Sequence, residues 1–367
     1  MKTIRIGVIG IGIIGKQHIE RYSKIAGAEV VAIADVNESE LERVGEQYGI
    51  PNRYVDFRKL LERDDIDAVD VCLHNNFHMP VTVAAMQAGK HVYSEKPIAG
   101  SYADGKMMLD AAQQYDRKLH IQLMTLYYKE TKAAKTLIDD GRLGRLYHAR
   151  STGFRRRGRP YVDGYATPGF VKKEISAGGA LIDMGIYHIS QLLFLLDNPQ
   201  VERISGKIYQ EVGMDRQRQE QSGFDVEELG LGFVKLSDGV TLDIIESWAM
   251  HLNSIEGSTI VGSQGGIRLS PFSFHTTISD MEMDATVNLD AVDNRWHRLR
   301  ENEDAMDSSE HHWIAALQGR VPLLPTADIA LQTMLISEGI YMSDRLGREV
   351  SAEEVFSESQ STAVKLD

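Results

Sequence analysis

The feature that most constrains the fold is the stretch from Ile4 to Asp35, near the start of the sequence. It contains a short apolar run, three glycines at Gly10, Gly12 and Gly15, a helical pattern, and a second apolar run that ends at Asp35. The order strand, tight turn, helix, strand is typical of a β-α-β unit in a parallel sheet. Glycine at these positions permits the sharp turn and the close packing of the helix on the strand.

The same stretch predicts a dinucleotide site. Gly12 leaves the backbone open to a pyrophosphate, and the N-terminus of the following helix offers free N–H groups and the positive end of its dipole. Asp35 lies 20 residues beyond Gly15, where a carboxylate can accept hydrogen bonds from both ribose hydroxyls. The predicted phosphate-binding residues are Gly10, Gly12, Ile13, Ile14 and Gly15.

Asp35 also bears on the choice of cofactor. Its carboxylate would repel a 2′-phosphate, and the next residues, Val36, Asn37 and Glu38, supply no cation to offset that repulsion. We therefore predict NAD rather than NADP as the cofactor.

Size, charge and cysteine content narrow the class of protein. A chain of 367 residues exceeds one typical hydrophobic core, so two domains are expected. The net charge of −13 argues against nucleic acid and anionic membranes as partners, because both favour a basic surface. Cys72 is the only cysteine, and its place in a buried-strand pattern predicts a core thiol without a catalytic role. With no leader pattern and no apolar run near the ~20 residues that span a bilayer, a cytoplasmic location is expected.

The pattern along the chain divides it near residue 123. Over residues 1–123 strands alternate with helices, which predicts an α/β domain with a doubly wound parallel sheet. Over residues 124–367 strand-like segments joined by short turns, such as Ser237–Gly239, predict a second domain with a largely antiparallel sheet. The closing helices Ser309–Gln318 and Ala327–Arg345 could pack back against the first domain.

Several polar residues follow the ends of the predicted parallel strands. In doubly wound sheets ligands bind beyond the carboxyl ends of the strands. This rule places the glycine turn, Asp35, a loop at His74–His78 and the segment Glu95–Pro97 on one rim. The sequence also predicts a helix at Pro80–Ala88 and one long helix over Gly179–Leu196.

Several motifs in order suggest a family. They are Gly10–Gly15, Asn75–His78, Ala88–Val92, Glu95–Pro97, Leu137–Gly141, Gly178–Asp183 and Gly262–Gly266. In this order and spacing the chain resembles the Gfo/Idh/MocA oxidoreductases. The resemblance implies a Rossmann domain, a second α/β domain with an open and mainly antiparallel sheet, a nicotinamide cofactor, and a sugar, cyclitol or similar polyol as substrate. It also implies a homodimer or homotetramer formed through the face of the second sheet.

The resemblance carries over to individual positions. The family's catalytic lysine corresponds to Lys96, and the Lys96–Pro97 bond is a candidate cis peptide. An ammonium there can hydrogen-bond the reacting oxygen and stabilise an alkoxide, with Glu95 beside it to hold the charge and orientation. Further residues expected at the cofactor are Leu73, His74, Asn75, His78, Glu95 and Lys96.

The acid/base group has two candidates. Relatives usually carry Asp and, four residues on, His; here Asp183 is followed by Tyr187 and then His188. On a regular helix Tyr187 shares a face with Asp183, and His188 does not. Either Tyr187 relays the substrate proton, its pKa lowered by Lys96, or a distorted helix brings His188 to the substrate. A packing role for both residues is the third interpretation.

A basic loop, Phe154–Tyr161, departs from the family pattern. Its four arginines could bind an anionic group on the substrate, because guanidinium groups pair with carboxylate or phosphate oxygens. Arg155, Arg156 and Tyr161 are therefore candidate substrate contacts, alongside Lys96, Asp183 and Tyr187. The alternative is a solvated loop or one that pairs with a neighbouring subunit. No metal site is expected, since His311 and His312 point to different faces of a helix.

Three classes of function are compatible with the sequence. The first is an NAD-dependent dehydrogenase acting on a secondary alcohol of a sugar, cyclitol or derivative. The second, resembling some relatives, retains NAD and breaks a glycosidic bond by transient oxidation and elimination. The third is a nucleotide-sensing regulatory protein without catalysis. We favour the first, and the presence of Lys96, Asp183 and Tyr187 argues against the third.

Overall fold

A computed structural model describes residues 2–299 and 301–366, without the side chain of Glu303. The strands are β1 (Ile4–Ile9), β2 (Ala28–Ala34), β3 (Asn52–Tyr54), β4 (Ala68–Val71), β5 (His91–Ser94), β6 (Leu119–Ile121), β7 (Leu146–Phe154), β8 (Val201–Tyr209), β9 (Leu229–Leu236), β10 (Thr241–Ser247), β11 (Thr259–Gly262), β12 (Gly265–Leu269), β13 (Phe272–Ile278), β14 (Met281–Ala285) and β15 (Val350–Ser351).

The helices are α1 (Ile13–Tyr22), α2 (Glu38–Tyr48), α3 (Phe57–Leu61), α4 (Asn75–Gln87), α5 (Tyr102–Gln114), α6 (Lys129–Asp139), α7 (Lys173–Ser176), α8 (Ala180–Asp183), α9 (Gly185–Leu195), α10 (Arg216–Ser222), α11 (Leu289–Leu299), α12 (Ser309–Leu317), α13 (Thr326–Leu346) and α14 (Ala352–Glu358). Short 3-10 turns lie at Met124–Tyr127, Pro168–Val171, Ser237–Gly239 and Glu303–Met306.

The first sheet is parallel, in the order β3-β2-β1-β4-β5-β6. Because β1 pairs with both β2 and β4, the order of the strands reverses at β1. The carboxyl ends of β1 and β4 therefore border the crevice in which such sheets bind ligands. The predicted doubly wound sheet is confirmed.

The second sheet has the order β14-β13-β12-β11-β7-β10-β9-β8-β15. Its pairs are antiparallel except β7 with β10, so the prediction of a mainly antiparallel sheet is also confirmed. The turn between β9 and β10 lies at Ser237–Gly239, where Asp238 has a φ of 61°. Helices α9 and α13 cover one face of the sheet, through contacts with β7 and β8 respectively.

The prediction of a loop at His74–His78 is wrong, because Asn75–His78 form the first turn of α4. The sequence pattern suggested a start at Pro80, which instead lies inside the helix. Proline has no N–H to donate to the carbonyl four residues earlier, that of Asn76. The backbone N–H of Val364 donates to this carbonyl at 3.1 Å, so the C-terminal tail satisfies the group that Pro80 leaves free.

The prediction of a single helix over Gly179–Leu196 is also wrong. It breaks at Met184 into α8 and α9, and the segments Lys173–Asp183 and Gly185–Leu195 meet at 50°. The buried carboxylate of Glu227 accepts the N–H groups of Gly179 and Leu181 at 2.9 Å each. This contact holds the N-terminus of α8 against the second sheet, while α9 packs along α13.

The closing helices do pack on the first sheet. The hydroxyl of Thr326, at the start of α13, accepts the N–H of Ile121 at 2.9 Å and lies 3.0 Å from the ring of His120. Ser309, at the start of α12, lies 3.1 Å from the other ring nitrogen of His120. Within residues 2–299 and 301–366, no single helix is long and apolar enough to cross a bilayer, although the bent pair that meets at Met184 qualifies by length and composition.

Acid is expected to destabilise this junction through His312. Burial lowers the pKa of His312 to about 4. Its Nε2 accepts the N–H of Leu324, a contact that the neutral ring makes. The folded-state pKa of His312 lies below its ordinary value of about 6.5, so folding favours the neutral ring. The stability that the neutral ring contributes is fully present above pH 6.5 and is lost as the pH falls toward 4. We expect the free energy of unfolding to fall by about 2–3 kcal/mol over this range from this residue.

Urea denaturation between pH 7 and pH 4 measures this loss. The variant His312→Gln should flatten the pH dependence, whereas His251→Gln, at an exposed histidine, should not. An unchanged slope in His312→Gln would contradict the assignment.

Candidate active site

A cleft of about 390 Å³ lies between the rim of the parallel sheet and the second domain. Its walls include Ile14 from α1, Leu73 and Asn75 from the end of β4 and the start of α4, and Lys96 after β5. From the second domain, Asp183 and Tyr187 line it. The structure therefore gathers into one cavity residues predicted separately as cofactor, substrate and catalytic contacts.

The glycine turn has the geometry that its three glycines predict. Gly10 has a φ of 90°, and a Cβ there would lie 2.4 Å from the carbonyl oxygen of Cys72. At Gly15 a Cβ would lie 2.0 Å from the carbonyl oxygen of Gly10, so α1 packs directly against the turn. At Gly12, by contrast, a Cβ would meet nothing within 4 Å. The protein thus keeps open space over Gly12.

The surroundings of this space fit a dinucleotide. No side chain caps the N-terminus of α1, which begins after Gly12. Ile13 and Ile14 on its first turn are 73% and 42% exposed, although both are apolar. The carboxylate of Asp35 accepts the N–H groups of Ile11 and Asn37 at 2.9 Å each, which holds it at the rim beside the turn. The exposed helix N-terminus can bind phosphate, and the exposed apolar side chains can contact the rest of the cofactor.

The residues after β4 divide into two groups. Leu73, His74 and Asn75 line the cleft, and the Asn75 amide donates to the carbonyl of Ser176 in the second domain at 2.8 Å. His78 is fully buried, and its ring nitrogens lie 2.8 Å and 3.0 Å from the carbonyl oxygens of Pro97 and Leu73. His78, predicted as a cofactor contact, instead ties together the two backbone segments that form the rim.

Lys96 lies at the junction of the two domains, and the Lys96–Pro97 bond that follows it is cis, as predicted. Its ammonium lies 2.9 Å from the carboxylate of Asp183 and 4.7 Å from the centre of the Tyr187 ring. Burial is the largest single effect and lowers the pKa of Lys96, but the charge and hydrogen bond of Asp183 and the contributions of Tyr187 and Glu95 together outweigh it, so the net pKa is raised. Lys96 is therefore a charged hydrogen-bond donor at neutral pH.

Asp183 is held from two sides. Burial is the largest single effect and raises its pKa, yet Lys96, Arg155 and the hydrogen bond from Trp248 together outweigh it, so the net pKa is lowered and the carboxylate stays ionised. The indole N–H of Trp248 donates to its second oxygen at 3.2 Å. Trp248 is fully buried, and this hydrogen bond orients the Asp183 carboxylate.

The structure separates Tyr187 from His188. Tyr187 lines the cleft over Lys96, whereas His188 turns to Glu246, whose carboxylate lies 3.0 Å from its Nδ1. The predicted lowering of the Tyr187 pKa is wrong: burial raises it, and the opposing effect of Lys96 is smaller. Tyr187 therefore keeps its proton at neutral pH. Burial lowers the pKa of His188, but the charge and the hydrogen bond of Glu246 together raise it by more, so the net pKa is raised.

A buried charged network lies next to Lys96. The Glu95 carboxylate accepts the backbone N–H of Lys96 at 3.0 Å and lies 3.1 Å from Nε2 of His18. The opposite ring nitrogen of His18 lies 2.9 Å from Asp70. Glu95 thus positions the Lys96 backbone, as expected for its orienting role. His18, Asp70 and Glu246 were not among the sequence candidates, although Asp70 and Glu246 each interrupt an apolar strand pattern.

The basic loop is largely folded on itself. Arg159 is fully buried and pairs with Asp163 at 2.9 Å and Glu228 at 2.8 Å. The hydroxyl of Tyr161, predicted as a substrate contact, donates to Gln221 on α10 at 3.1 Å.

The two arginines predicted as substrate contacts, Arg155 and Arg156, differ in position. Arg155 donates to the carbonyl of Gly158 at 3.1 Å and to the hydroxyl of Tyr165. Burial raises the pKa of Asp183, and the charge of Arg155 helps Lys96 to lower it. Arg156 is exposed. Arg155 is therefore the arginine of this loop whose charge reaches the catalytic candidates.

Comparison with family models and known proteins gives matches over most of the chain. Residues 4–123 match the model of the oxidoreductase family with an NAD-binding Rossmann fold, and residues 131–268 match the GFO/IDH/MocA C-terminal domain. The chain is 26% identical over 355 residues to D-glucoside 3-dehydrogenase of Escherichia coli K12, covering 95% of this chain and 97% of that protein. It is 30% identical over 201 residues to myo-inositol 2-dehydrogenase of Thermotoga maritima, covering 55% of this chain and 57% of that protein.

Solved structures share the fold. An oxidoreductase domain protein from Kribbella flavida superposes with a TM-score of 0.80 at 19% identity, covering 96% of this chain and 100% of that one. Levoglucosan dehydrogenase in complex with NADH and L-sorbose has a TM-score of 0.78 at 20% identity, covering 96% and 99%. With both domain models matched over most of its length and a glycine turn that fits a dinucleotide, the chain belongs to the GFO/IDH/MocA family and is an NAD(P)-dependent oxidoreductase.

Proposed function

We propose that this protein oxidises, reversibly, a secondary alcohol of a sugar or cyclitol with NAD as cofactor. The observation that carries the proposal is the position of the Lys96 ammonium, 2.9 Å from Asp183 and over the Tyr187 ring, in the cleft that also contains the helix following the glycine turn. The names of the relatives, a glucoside dehydrogenase and an inositol dehydrogenase, support the class of substrate.

The nicotinamide, when bound, supplies the hydride acceptor; the remaining chemistry falls to side chains of this chain. Gly12 and the N-terminus of α1 hold the phosphates, and Asp35 holds the ribose. Lys96 donates a hydrogen bond to the alcohol oxygen and stabilises the negative charge that develops there. Asp183 keeps Lys96 charged and aimed into the cleft. As the alcohol is oxidised, its proton passes to the neutral phenol of Tyr187, which releases its own proton to solvent.

A panel of D-glucosides, free sugars, uronates and inositols with NAD, followed at the nicotinamide absorbance, tests this function. Net NADH formation with a neutral sugar or cyclitol is the expected result. Glycoside cleavage without net NADH would favour the redox-neutral alternative, and absence of turnover across the panel would count against the proposal.

We expect NAD to bind more tightly than NADP. The Asp35 carboxylate is fixed by two backbone N–H groups beside the turn, and Val36, which follows it, is 86% exposed and apolar. A 2′-phosphate here would meet a carboxylate with no adjacent cation in the sequence. Equal affinities in a fluorescence titration with the two dinucleotides would contradict this preference.

Tyr187→Phe is expected to lower kcat about 10²-fold with little change in NAD affinity, because it removes the relay hydroxyl but keeps the ring over Lys96. His188→Gln should lower kcat far less, since His188 faces Glu246 and not the cleft. Steady-state kinetics of the two variants decide between the residues. The reverse order of effects would assign the proton transfer to His188.

We also propose that the protein forms a homo-oligomer through the outer face of the second sheet. Alternating burial along β8 and β9 places Tyr209 and Phe233, 37% and 42% exposed, on the face away from α13. Leu231 and Ile245 are paired across β9 and β10 on the same face and are half-buried. An exposed apolar band of this kind favours self-association. A monomeric mass in analytical ultracentrifugation would contradict it.

A further inference from the structure

Three side chains with metal-ligand atoms meet beside the cleft, outside the proposed alcohol chemistry. Nδ1 of His18 on α1 lies 2.9 Å from Asp70 on β4 and 3.3 Å from Sγ of Cys72. Sγ of Cys72 lies 3.2 Å from the other oxygen of Asp70. Among the residues that the structure describes, these three form the group whose ligand atoms lie within 4.8 Å of one another.

The donor set has the chemistry of a zinc-class site. Imidazole, carboxylate and thiolate together suit Zn²⁺ and the ions that replace it, such as Co²⁺ and Cd²⁺. Bond lengths of about 2.0–2.3 Å in a tetrahedral site place ligand atoms roughly 3.3–3.8 Å apart. The observed separations of 2.9–3.3 Å require only small movements of the three side chains to reach this spacing.

The second nitrogen of His18 supplies an independent observation. Nε2 lies 3.1 Å from the Glu95 carboxylate, with Glu310 a further neighbour at 3.8 Å. A histidine that ligates a metal through one nitrogen almost always donates its other N–H to a carboxylate or carbonyl, which fixes the ring and its tautomer. Glu95 is in place to do this, so Nδ1 of His18 is oriented toward Asp70 and Cys72.

The group borders the cleft that holds Lys96. His18 and Cys72 are among the residues that line this cleft, but of the three ligands only Cys72 is half-buried, while His18 and Asp70 are fully buried. An ion can therefore enter through the cleft and keep one coordination position open toward it for water, as in zinc sites with three protein ligands.

We propose that His18, Asp70 and Cys72 bind one zinc-class divalent ion at the inner wall of the cleft. On binding, a bond forms from the ion to each of Nδ1, a carboxylate oxygen and Sγ. The proton of the thiol and any proton on Nδ1 leave to solvent, and no group is oxidised or reduced. The ion lies next to the Glu95–Lys96 segment, in the cavity used by the dinucleotide.

Titration of the purified full-length protein with Co²⁺ tests the site. A thiolate-to-cobalt charge-transfer band that saturates at one equivalent and disappears on addition of Zn²⁺ is the expected result. Cys72→Ser should abolish this band, and Asp70→Asn should weaken Co²⁺ binding by at least about 10-fold. The matched control Asp284→Asn removes an exposed His–Asp pair, that of His275 and Asp284 at 2.6 Å, and should leave the titration unchanged.

Circular dichroism of each variant establishes that it is folded. Absence of the band in the unaltered protein, or its persistence in Cys72→Ser, would overturn the proposal. Neither result depends on turnover, so failure here is distinguishable from failure of the proposed dehydrogenase activity.

Discussion

Replacing Lys96 with methionine is expected to lower kcat/KM by about 10²- to 10⁴-fold, with a much smaller effect on NAD affinity. Methionine keeps the apolar length of the side chain but removes the ammonium that lies 2.9 Å from Asp183. Two functions are lost together: the hydrogen bond to the alcohol oxygen and the charge that keeps the pKa of Asp183 low against the effect of its burial. Steady-state kinetics with the substrate found in the panel, and a separate NAD titration, measure the two quantities.

The matched control is Lys106→Met. Lys106 lies on α5 of the same domain, where it pairs with Asp110 and is half-exposed. The Lys106→Met variant should retain full kcat/KM. Turnover within a few-fold of normal in Lys96→Met would remove Lys96 from the chemistry, whatever the effect on binding.

Gly12→Val is expected to lower NAD affinity by at least about 10-fold, or about 1.4 kcal/mol, without destabilising the fold. A Cβ at Gly12 meets no protein atom within 4 Å, and its φ of −63° is accessible to any residue. Any new side chain therefore occupies the space that a pyrophosphate requires.

Gly15→Ala should behave differently, because its Cβ would lie 2.0 Å from the carbonyl oxygen of Gly10. We expect it to destabilise the fold by about 1–3 kcal/mol.

Calorimetric titration with NAD and thermal unfolding of each variant separate these effects. Gly213→Val is the control for added side-chain volume, since a Cβ there also meets nothing within 4 Å and lies outside the cleft. Unchanged NAD affinity in a folded Gly12→Val protein would show that the cofactor does not lie over this turn.

The first domain was the most predictable part. Its signals are local: Gly10 needs a positive φ, Gly15 needs a missing side chain, and the alternation of apolar runs and helices specifies a parallel sheet within short sequence distances. In the second domain the main strands and the hairpin at Ser237–Gly239 were predicted, but β13, β14 and α11 were not. β14 is exposed throughout and α11 has no buried residue among those described, so their placement depends on pairing with β13 and on contacts with α6 rather than on burial of an apolar face.

The site divides in the same way. Lys96, Asp183 and Tyr187 follow from motif positions, and the structure brings them together as expected. The direction of the Tyr187 pKa was predicted wrongly because a sequence shows the neighbouring charge but not the extent of burial, which is the larger effect. Glu246 and Trp248 act on His188 and Asp183 from strand β10 and the residue after it, more than 55 residues away in sequence.

By itself, the sequence determined the dinucleotide fold and the glycine turn, because each depends on backbone constraints within one short segment, and the resemblance to a family pointed to Lys96. Only the tertiary structure decided which side chains face the cleft: it broke the helix at Met184, turned His188 toward Glu246 and enclosed Arg159 between two carboxylates. It also joined His18 on α1 to Asp70 and Cys72 at the end of β4. These outcomes depend on burial and on pairing between distant segments, which are properties of the packed chain and not of any local stretch of residues.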